Sequence, residues 1–133
     1  MKRLLFALFA LCALTTFAFA ADKNSVLIHP GETVYARFEV KGKKIRLVQA
    51  GKEKDDAAQV IFTFDKQAKE GMRSLKVENK FPNDLIYKAE MRSLTLKHER
   101  RVNPTPVVGG KIAIDPYPIV VEQLAFFDFK AEP

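Results

Sequence analysis

Alternation of apolar and polar residues with a period of two dominates the chain beyond its N-terminal segment. In "QVIFTF", residues 59–64, the side chains of Val60, Phe62 and Phe64 fall on one face of an extended chain. The segment "TVYARFEV", residues 33–40, repeats the pattern and is rich in β-branched and aromatic residues. Both segments are therefore predicted to be strands with one face in the core.

Shorter segments of the same character follow one another along the chain, with Gly, Pro, Asn or Asp between them. They are "SVLIH", "KIRLV", "SLKVEN", "LIYKAEM", "SLTLKH", "KIAI", "PIVVEQLAFF" and "FDFK". A series of short strands separated by turns is typical of an antiparallel sandwich or barrel. We therefore predict an all-β protein of about 7–9 strands.

The same alternation predicts which side chains face the core. These are Phe62, Phe64, Leu75, Val77, Leu85, Tyr87 and Phe126. For Tyr87 we expect a buried ring whose hydroxyl bonds a backbone group. The run "FPND", residues 81–84, has the composition of a tight connection between two strands, either a hairpin or a sheet corner.

The N-terminus has the pattern of an export signal. Lys2 and Arg3 precede the apolar run "LLFALFALCAL", and Ala18 and Ala20 are the small residues that a signal peptidase needs. We predict a signal peptide over residues 1–20 and one β-sandwich domain over residues 21–133, located in the periplasm or secreted. A retained membrane anchor is the alternative, although no basic stop-transfer cluster follows the apolar run.

Composition narrows the chemistry of the mature chain. The one cysteine of the sequence, Cys12, lies in the predicted signal peptide. The mature chain therefore has no thiol for catalysis, for a disulfide or for a zinc-thiolate site. The formal net charge is +6, and it stays positive when Lys2 and Arg3 are removed.

Two segments in the second half of the chain carry a resemblance. They are "SLKVENKFPNDLIYKAEM" and "NPTPVVGGKIAIDPYPIVVEQLAFFDF", over about residues 75–129. In the order of their strands, turn and proline-containing loop they resemble uncharacterised exported bacterial proteins. The resemblance implies an antiparallel immunoglobulin-like β-sandwich and no particular activity. Those proteins tend to carry a cysteine where this chain has Thr105, so a thiol role does not transfer.

No arrangement of residues in the sequence requires a catalytic or metal-dependent reaction. His29 and His98 lie far apart and outside any metal-binding spacing, and we expect His29 to be solvated or to cap a turn. The serines lack a Gly-x-Ser-x-Gly turn. Carboxylate pairs such as Glu90 with Glu99, or Asp115 with Glu122, cannot be placed across a cleft from spacing alone. We predict no enzymatic activity, no cofactor and no metal site.

Basic residues form the most prominent surface feature. The segments "KGKKIR" and "LKHERR" contribute Lys43, Lys44, Arg46, Lys97, His98, Arg100 and Arg101. If these residues meet, they form a positive patch for an anionic lipid, a cell-wall polymer or an envelope protein. The alternative is protection of exposed strand edges, a common use of Lys and Arg. We expect no binding of nucleic acid by an exported chain without an aromatic and basic face.

The proline-rich segment "NPTPVVGGKIAIDPYPI" is either a binding loop, with Tyr117 as an exposed aromatic contact, or a crossover between sheets. From these features we predict an exported binding or accessory module. Two alternatives stay open. One is a small inhibitor of an envelope-active hydrolase, which would insert residues 103–110 into its target. The other is a periplasmic chaperone-like module, which would pair an edge strand with a client strand.

Overall fold

The β-strands of the protein follow the alternating segments. A computed structural model describes residues 24–93 and 99–132, and this part of the chain contains strands and turns but no helix. The strands are β1 (Val26–Ile28), β2 (Thr33–Lys41), β3 (Lys44–Gly51), β4 (Val60–Phe64), β5 (Met72–Asn79), β6 (Asp84–Arg92), β7 (Arg100–Val102), β8 (Ile112–Pro118) and β9 (Gln123–Glu132). The predicted all-β class and strand number are confirmed.

The strands form one antiparallel sheet that curls into a half-barrel. Its order is β7-β6-β9-β3-β2-β4-β5-β8, and β1 pairs with β9 beside this path. The long strand β9 accommodates two partners on one edge, because β1 pairs with it along Leu124–Phe126 and β3 pairs with it at Lys130. The order leaves β7 and β8 as the two edge strands of the curled sheet.

The concave side of the half-barrel holds the core. Phe62 of β4 and Phe126 of β9 stack there with ring centroids 4.6 Å apart, which joins the two halves of the curled sheet. All the side chains predicted to face inward are buried, namely Phe62, Phe64, Leu75, Val77, Leu85, Tyr87 and Phe126. The face assigned from alternation is therefore confirmed.

The connection at residues 81–84 is a sheet corner, because β5 pairs with β4 and β8 whereas β6 pairs with β7 and β9. Asn79, which is 2 % exposed, organises this corner from within the core. Its Nδ2 donates to the carbonyl oxygens of Asn83 at 2.8 Å and Val107 at 3.0 Å. Its Oδ1 accepts the amide hydrogen of Phe81 at 3.0 Å. One buried amide thus ties the corner to the segment between β7 and β8.

The largest differences from the predicted elements lie in the C-terminal third. Strand β8 continues through Pro116 to Pro118, beyond the predicted segment "KIAI". The residues "LAFF" and "FDFK" belong to one strand, β9, in which Asp128 has a φ of 53° and interrupts the alternation. Strand β7 is too short to show a period. The predicted signal peptide, and "SLTLKH" after Ser93, lie outside the described residues.

Candidate binding cleft

The two edge strands of the half-barrel approach each other without pairing. Between them lies a cleft of about 320 Å³. One wall consists of Met91, Val102 and residues 103–105, and the other consists of residues 115–118 of β8. We call this space the seam cleft, because it lies where the curled sheet would close into a barrel. Its volume is at the lower end of the range for small-molecule sites, about 300–1,000 Å³.

Strand β8 turns only half of its backbone groups toward β5. The Asn79 amide donates to the Lys111 carbonyl, and the Ile119 amide donates to the Gly71 carbonyl. Bonded pairs alternate along an antiparallel ladder. The backbone N–H and C=O groups of the odd-numbered residues of β8 therefore form hydrogen bonds with β5. Those of the even-numbered residues point to the open edge.

Prolines on both sides keep the seam from closing by hydrogen bonds. Pro116 and Pro118 are even-numbered residues of β8, so they stand at the open edge without an amide proton. On the facing side Pro104 and Pro106 also lack donors. A ladder between the two edges would lose a bond at each proline, and this explains why the sheet stops at a half-barrel here.

Residues 107–109, which follow the cleft wall at residues 103–105, are hydrogen-bonded to the start of β6 at the sheet corner. Leu85 and Val107 exchange two backbone hydrogen bonds, of 2.8 and 2.9 Å, and Val107 is fully buried. The Gly109 amide donates to Asp84 Oδ1 at 3.0 Å. A Cβ at Gly109 would lie 2.1 Å from the carbonyl oxygen of Pro82, so only glycine fits. The loop proposed for insertion into a hydrolase therefore has a buried and fixed centre.

Asp115 places a carboxylate on the inner face of β8. The strand alternates, so Ala113, Asp115 and Tyr117 face inward whereas the even-numbered residues are exposed. The Oδ2 atom of Asp115 is buried and has no hydrogen-bond partner in the described part of the chain. Leaving such a group buried and unsatisfied costs about 1–3 kcal/mol or more. The carboxylate therefore does not serve the stability of the strand.

Two buried tyrosines, Tyr117 and Tyr87, differ from the predictions made for them. Tyr117 is 5 % exposed, and its ring meets Phe64 at a steep angle with centroids 6.2 Å apart. The prediction of an exposed contact is wrong, because residue 117 is an inward position of β8. Tyr87 is buried as predicted, but its hydroxyl has no partner among the described residues. The predicted backbone hydrogen bond of Tyr87 is therefore wrong.

Both phenols are held in the protonated form. Burial raises the pKa of Tyr87, and the neighbouring Tyr117 and Asp115 raise it further. Burial likewise raises the pKa of Tyr117, with a further contribution from Asp115. The β8 wall of the seam cleft thus combines the carboxyl group of Asp115 with the neutral hydroxyl of Tyr117.

We expect stability to fall in alkali because of these tyrosines. In the unfolded chain their pKa is about 10, so the unfolded state releases protons from that pH upward while the folded state retains them. The contribution of each tyrosine to the free energy of unfolding is fully present below about pH 10. Above that pH it decreases by about 1.4 kcal/mol per pH unit for each tyrosine. Urea unfolding between pH 9 and 11 measures the slope. Tyr117→Phe should halve this slope, because only Tyr87 then contributes to it. An unchanged slope would contradict the raised pKa of Tyr117.

Asp115 was considered from the sequence only as a possible carboxylate partner of Glu122 and not as a binding residue, although a signal for its position exists. In "KIAIDPYPI" the alternation continues through the prolines and places Asp115 between Ala113 and Tyr117 on one face. Pro116 and Pro118 were interpreted as part of a binding loop or a crossover between sheets, because a central strand does not tolerate proline. At an edge strand, however, proline is compatible with pairing on one side.

The predicted basic residues lie in two separate places. Lys43 is in the turn before β3, and Lys44 lies opposite Lys130 of β9. Arg100 and Arg101 are in β7, whereas Lys97 and His98 lie outside the described residues.

Strands β6 and β9 separate the two basic groups. Lys130, the partner of Lys44, lies opposite Ile86 of β6, and Arg100 lies opposite Met91. Ile86 and Met91 lie five positions apart in β6, which corresponds to about 17 Å along the strand. The structure therefore does not bring the described members of the two groups into contact.

Two of these arginines have acidic partners. Arg46 Nη2 lies 2.6 Å from Glu39 Oε2. Arg101 Nε lies 3.8 Å from Glu90 Oε2, and its guanidinium lies 5.5 Å from the centre of the Phe127 ring. Both arginine side chains are largely exposed, at 69 % and 74 %. Exposed pairs of this kind contribute less than about 1 kcal/mol.

The carboxylates of Glu90 and Glu99 meet at the connection between β6 and β7. Arg92 Nε lies 3.2 Å from Glu90 Oε1 and 3.4 Å from Glu99 Oε1. A hydrogen bond between the two carboxyl groups lowers the pKa of Glu90 and raises the pKa of Glu99. Arg92 lies close to both carboxylates and partly neutralises their charge. We therefore interpret the three side chains as an ion-pair cluster that links β6 to β7.

His29 lies in the turn after β1. Its amide hydrogen is donated to Glu32 Oε1 at 2.7 Å, and its Nδ1 lies 3.0 Å from the same oxygen. This is the turn-capping arrangement expected for His29. Within the described residues no group of three or more His, Cys, Asp or Glu side chains is placed to hold a metal ion.

Comparison of the chain with protein-family models, curated proteins and solved structures found no match. In residues 24–93 and 99–132, no helix is long and apolar enough to cross a membrane. The interpretation of the seam cleft therefore depends on its own chemistry.

Proposed function

We propose that this chain is an exported, non-catalytic binding module that receives its ligand in the seam cleft. The supporting observation is Asp115, which lines the cleft and whose Oδ2 is buried without a hydrogen-bond partner in the described part of the chain. Buried polar groups in native proteins are almost always hydrogen-bonded, and exceptions often mark functional sites. A ligand group in the cleft would pair with the Asp115 carboxyl group.

The proposed fold within the all-β class is an immunoglobulin-like sandwich. The stacking of Phe62 on Phe126 supports it, because these residues come from the two halves of the curled sheet and pack face to face. Export is proposed from the basic and apolar pattern of residues 1–20. An exported module of this kind would meet an envelope protein as its partner in the periplasm or outside the cell.

Nuclear magnetic resonance of the purified protein tests the proposed site. The probes are three small molecules with a four-carbon stem, n-butylammonium, n-butanol and butyrate, and vesicles of phosphatidylglycerol. We expect at least one small probe to shift the amide signals of Val102, Thr105 and Tyr117. Thr105→Trp, which narrows the cleft, should abolish the shifts, whereas Val108→Trp on the exposed side of the same loop should leave them.

Two results would contradict the proposed site. One is the absence of shifts in the cleft with every small probe. The other is a response to vesicles alone, confined to Lys43, Lys44 and Arg100. That response would assign binding to the basic surface and to an anionic lipid or cell-wall polymer, as the sequence alone predicted.

A further inference from the structure

The ligand class of the seam cleft follows from the charge at its inner end. Asp115 carries a carboxylate whose Oδ2 is buried without a hydrogen-bond donor among the described residues. No arginine, lysine or histidine in residues 24–93 and 99–132 forms an ion pair with it. A carboxylate accepts hydrogen bonds and repels anions. The group that complements it is a cation with several N–H donors.

Nitrogen cations combine the required charge with several donors. An ammonium has three N–H donors and a guanidinium has five. An alcohol has one donor and no charge, so it complements the carboxylate less well.

The walls of the cleft suit an aliphatic stem behind such a cation. Met91, Val102 and Pro104 line one side, and Pro116 and Pro118 line the other. Amphipathic cations bury their methylene groups against surfaces of this kind. The volume of about 320 Å³ accommodates one side chain or a small amine.

The overall charge of the protein does not exclude a cationic ligand. The formal net charge of +6 repels cations at long range, but salt screens exposed charges beyond about 8 Å at physiological ionic strength. Contacts inside a partly closed cleft are screened much less. The Asp115 carboxylate therefore determines the charge preference of the cleft.

We infer that the seam cleft binds an alkylammonium or alkylguanidinium group, with Asp115 as its counter-charge. Two sources have this chemistry, a free small amine and the Lys or Arg side chain of a partner chain. The inference deepens the proposed function, because it names the ligand class of the same cleft.

Titration of the purified protein with matched probes tests the charge preference. n-Butylammonium and n-butylguanidinium should bind at least about tenfold more tightly than n-butanol, a difference of about 1.4 kcal/mol, because hydrogen bonds to a charged group are stronger than those to a neutral group. Butyrate should bind most weakly. Equal shifts with n-butanol or butyrate would overturn the inference but leave the proposed binding cleft intact.

Substitution of Asp115 gives the second test. Asp115→Asn keeps the shape and removes the charge, and we expect it to weaken n-butylammonium binding by about tenfold or more while n-butanol binding is unchanged. Asp56→Asn, in an exposed loop, is the matched control and should change neither affinity. An unchanged affinity of Asp115→Asn for the cation would overturn the inference.

The probe titrations use the unaltered protein, so they test the charge preference even if Asp115→Asn does not fold. Comparison of n-butylammonium with the peptide acetyl-Gly-Lys-Gly-amide then distinguishes a free amine from a partner chain by which binds more tightly.

Discussion

We expect Phe62→Ala to lower the free energy of unfolding by about 3–5 kcal/mol. Phe62 is fully buried and lies at the meeting point of the two halves of the curled sheet. Its ring stacks on Phe126 at 4.6 Å and meets Tyr87 and Phe129 at 6.0 and 6.3 Å. Alanine would remove all three contacts and leave a cavity that the paired strands cannot fill.

Urea unfolding of the purified variant measures this loss. Ile61→Ala is the matched control, because Ile61 is the preceding residue of β4 and its side chain lies on the opposite, half-buried face. We expect the control to lose less than half as much as Phe62→Ala. Similar losses in both variants would mean that the two faces of β4 are equally buried, which contradicts the half-barrel.

The second large effect is expected at the sheet corner. Asn79→Ala removes three hydrogen bonds, two donated by Nδ2 and one accepted by Oδ1. The amide of Phe81 and the carbonyl of Asn83 would then stay buried or half-buried without these partners. We expect a loss of about 3 kcal/mol in the free energy of unfolding, since each unsatisfied buried group costs about 1–3 kcal/mol.

Asn83→Ala is the control for the corner, because Asn83 contributes its backbone carbonyl to Asn79 and alanine keeps that carbonyl. The control should lose less than about 1 kcal/mol in chemical denaturation. If Asn79→Ala is no more destabilising than Asn83→Ala, the corner is not held by the buried amide. Because Asn79 also bonds Val107, its loss should loosen the chain next to the seam cleft and raise amide exchange at Val107.

The period of the sequence was sufficient to predict the strands and their inner faces. Val60, Phe62 and Phe64 alternate with more polar residues, and an extended chain places them on one side whatever strands lie next to it. The turn residues at 81–84 similarly predicted a connection from local backbone preferences. They did not distinguish a hairpin from a corner, because that choice depends on which strands pair with β5 and β6.

The sequence by itself thus determined an all-β chain with a defined core face, because side-chain alternation is a local property of the backbone. Only the tertiary structure decided that the edge strands β7 and β8 lie next to each other. This arrangement in turn determines where the seam cleft lies. Met91 and Asp115 lie 24 positions apart in the chain and line one cleft only when the sheet curls. The two basic groups, in contrast, are kept apart by β6 and β9, since strand order is set by pairing between distant segments.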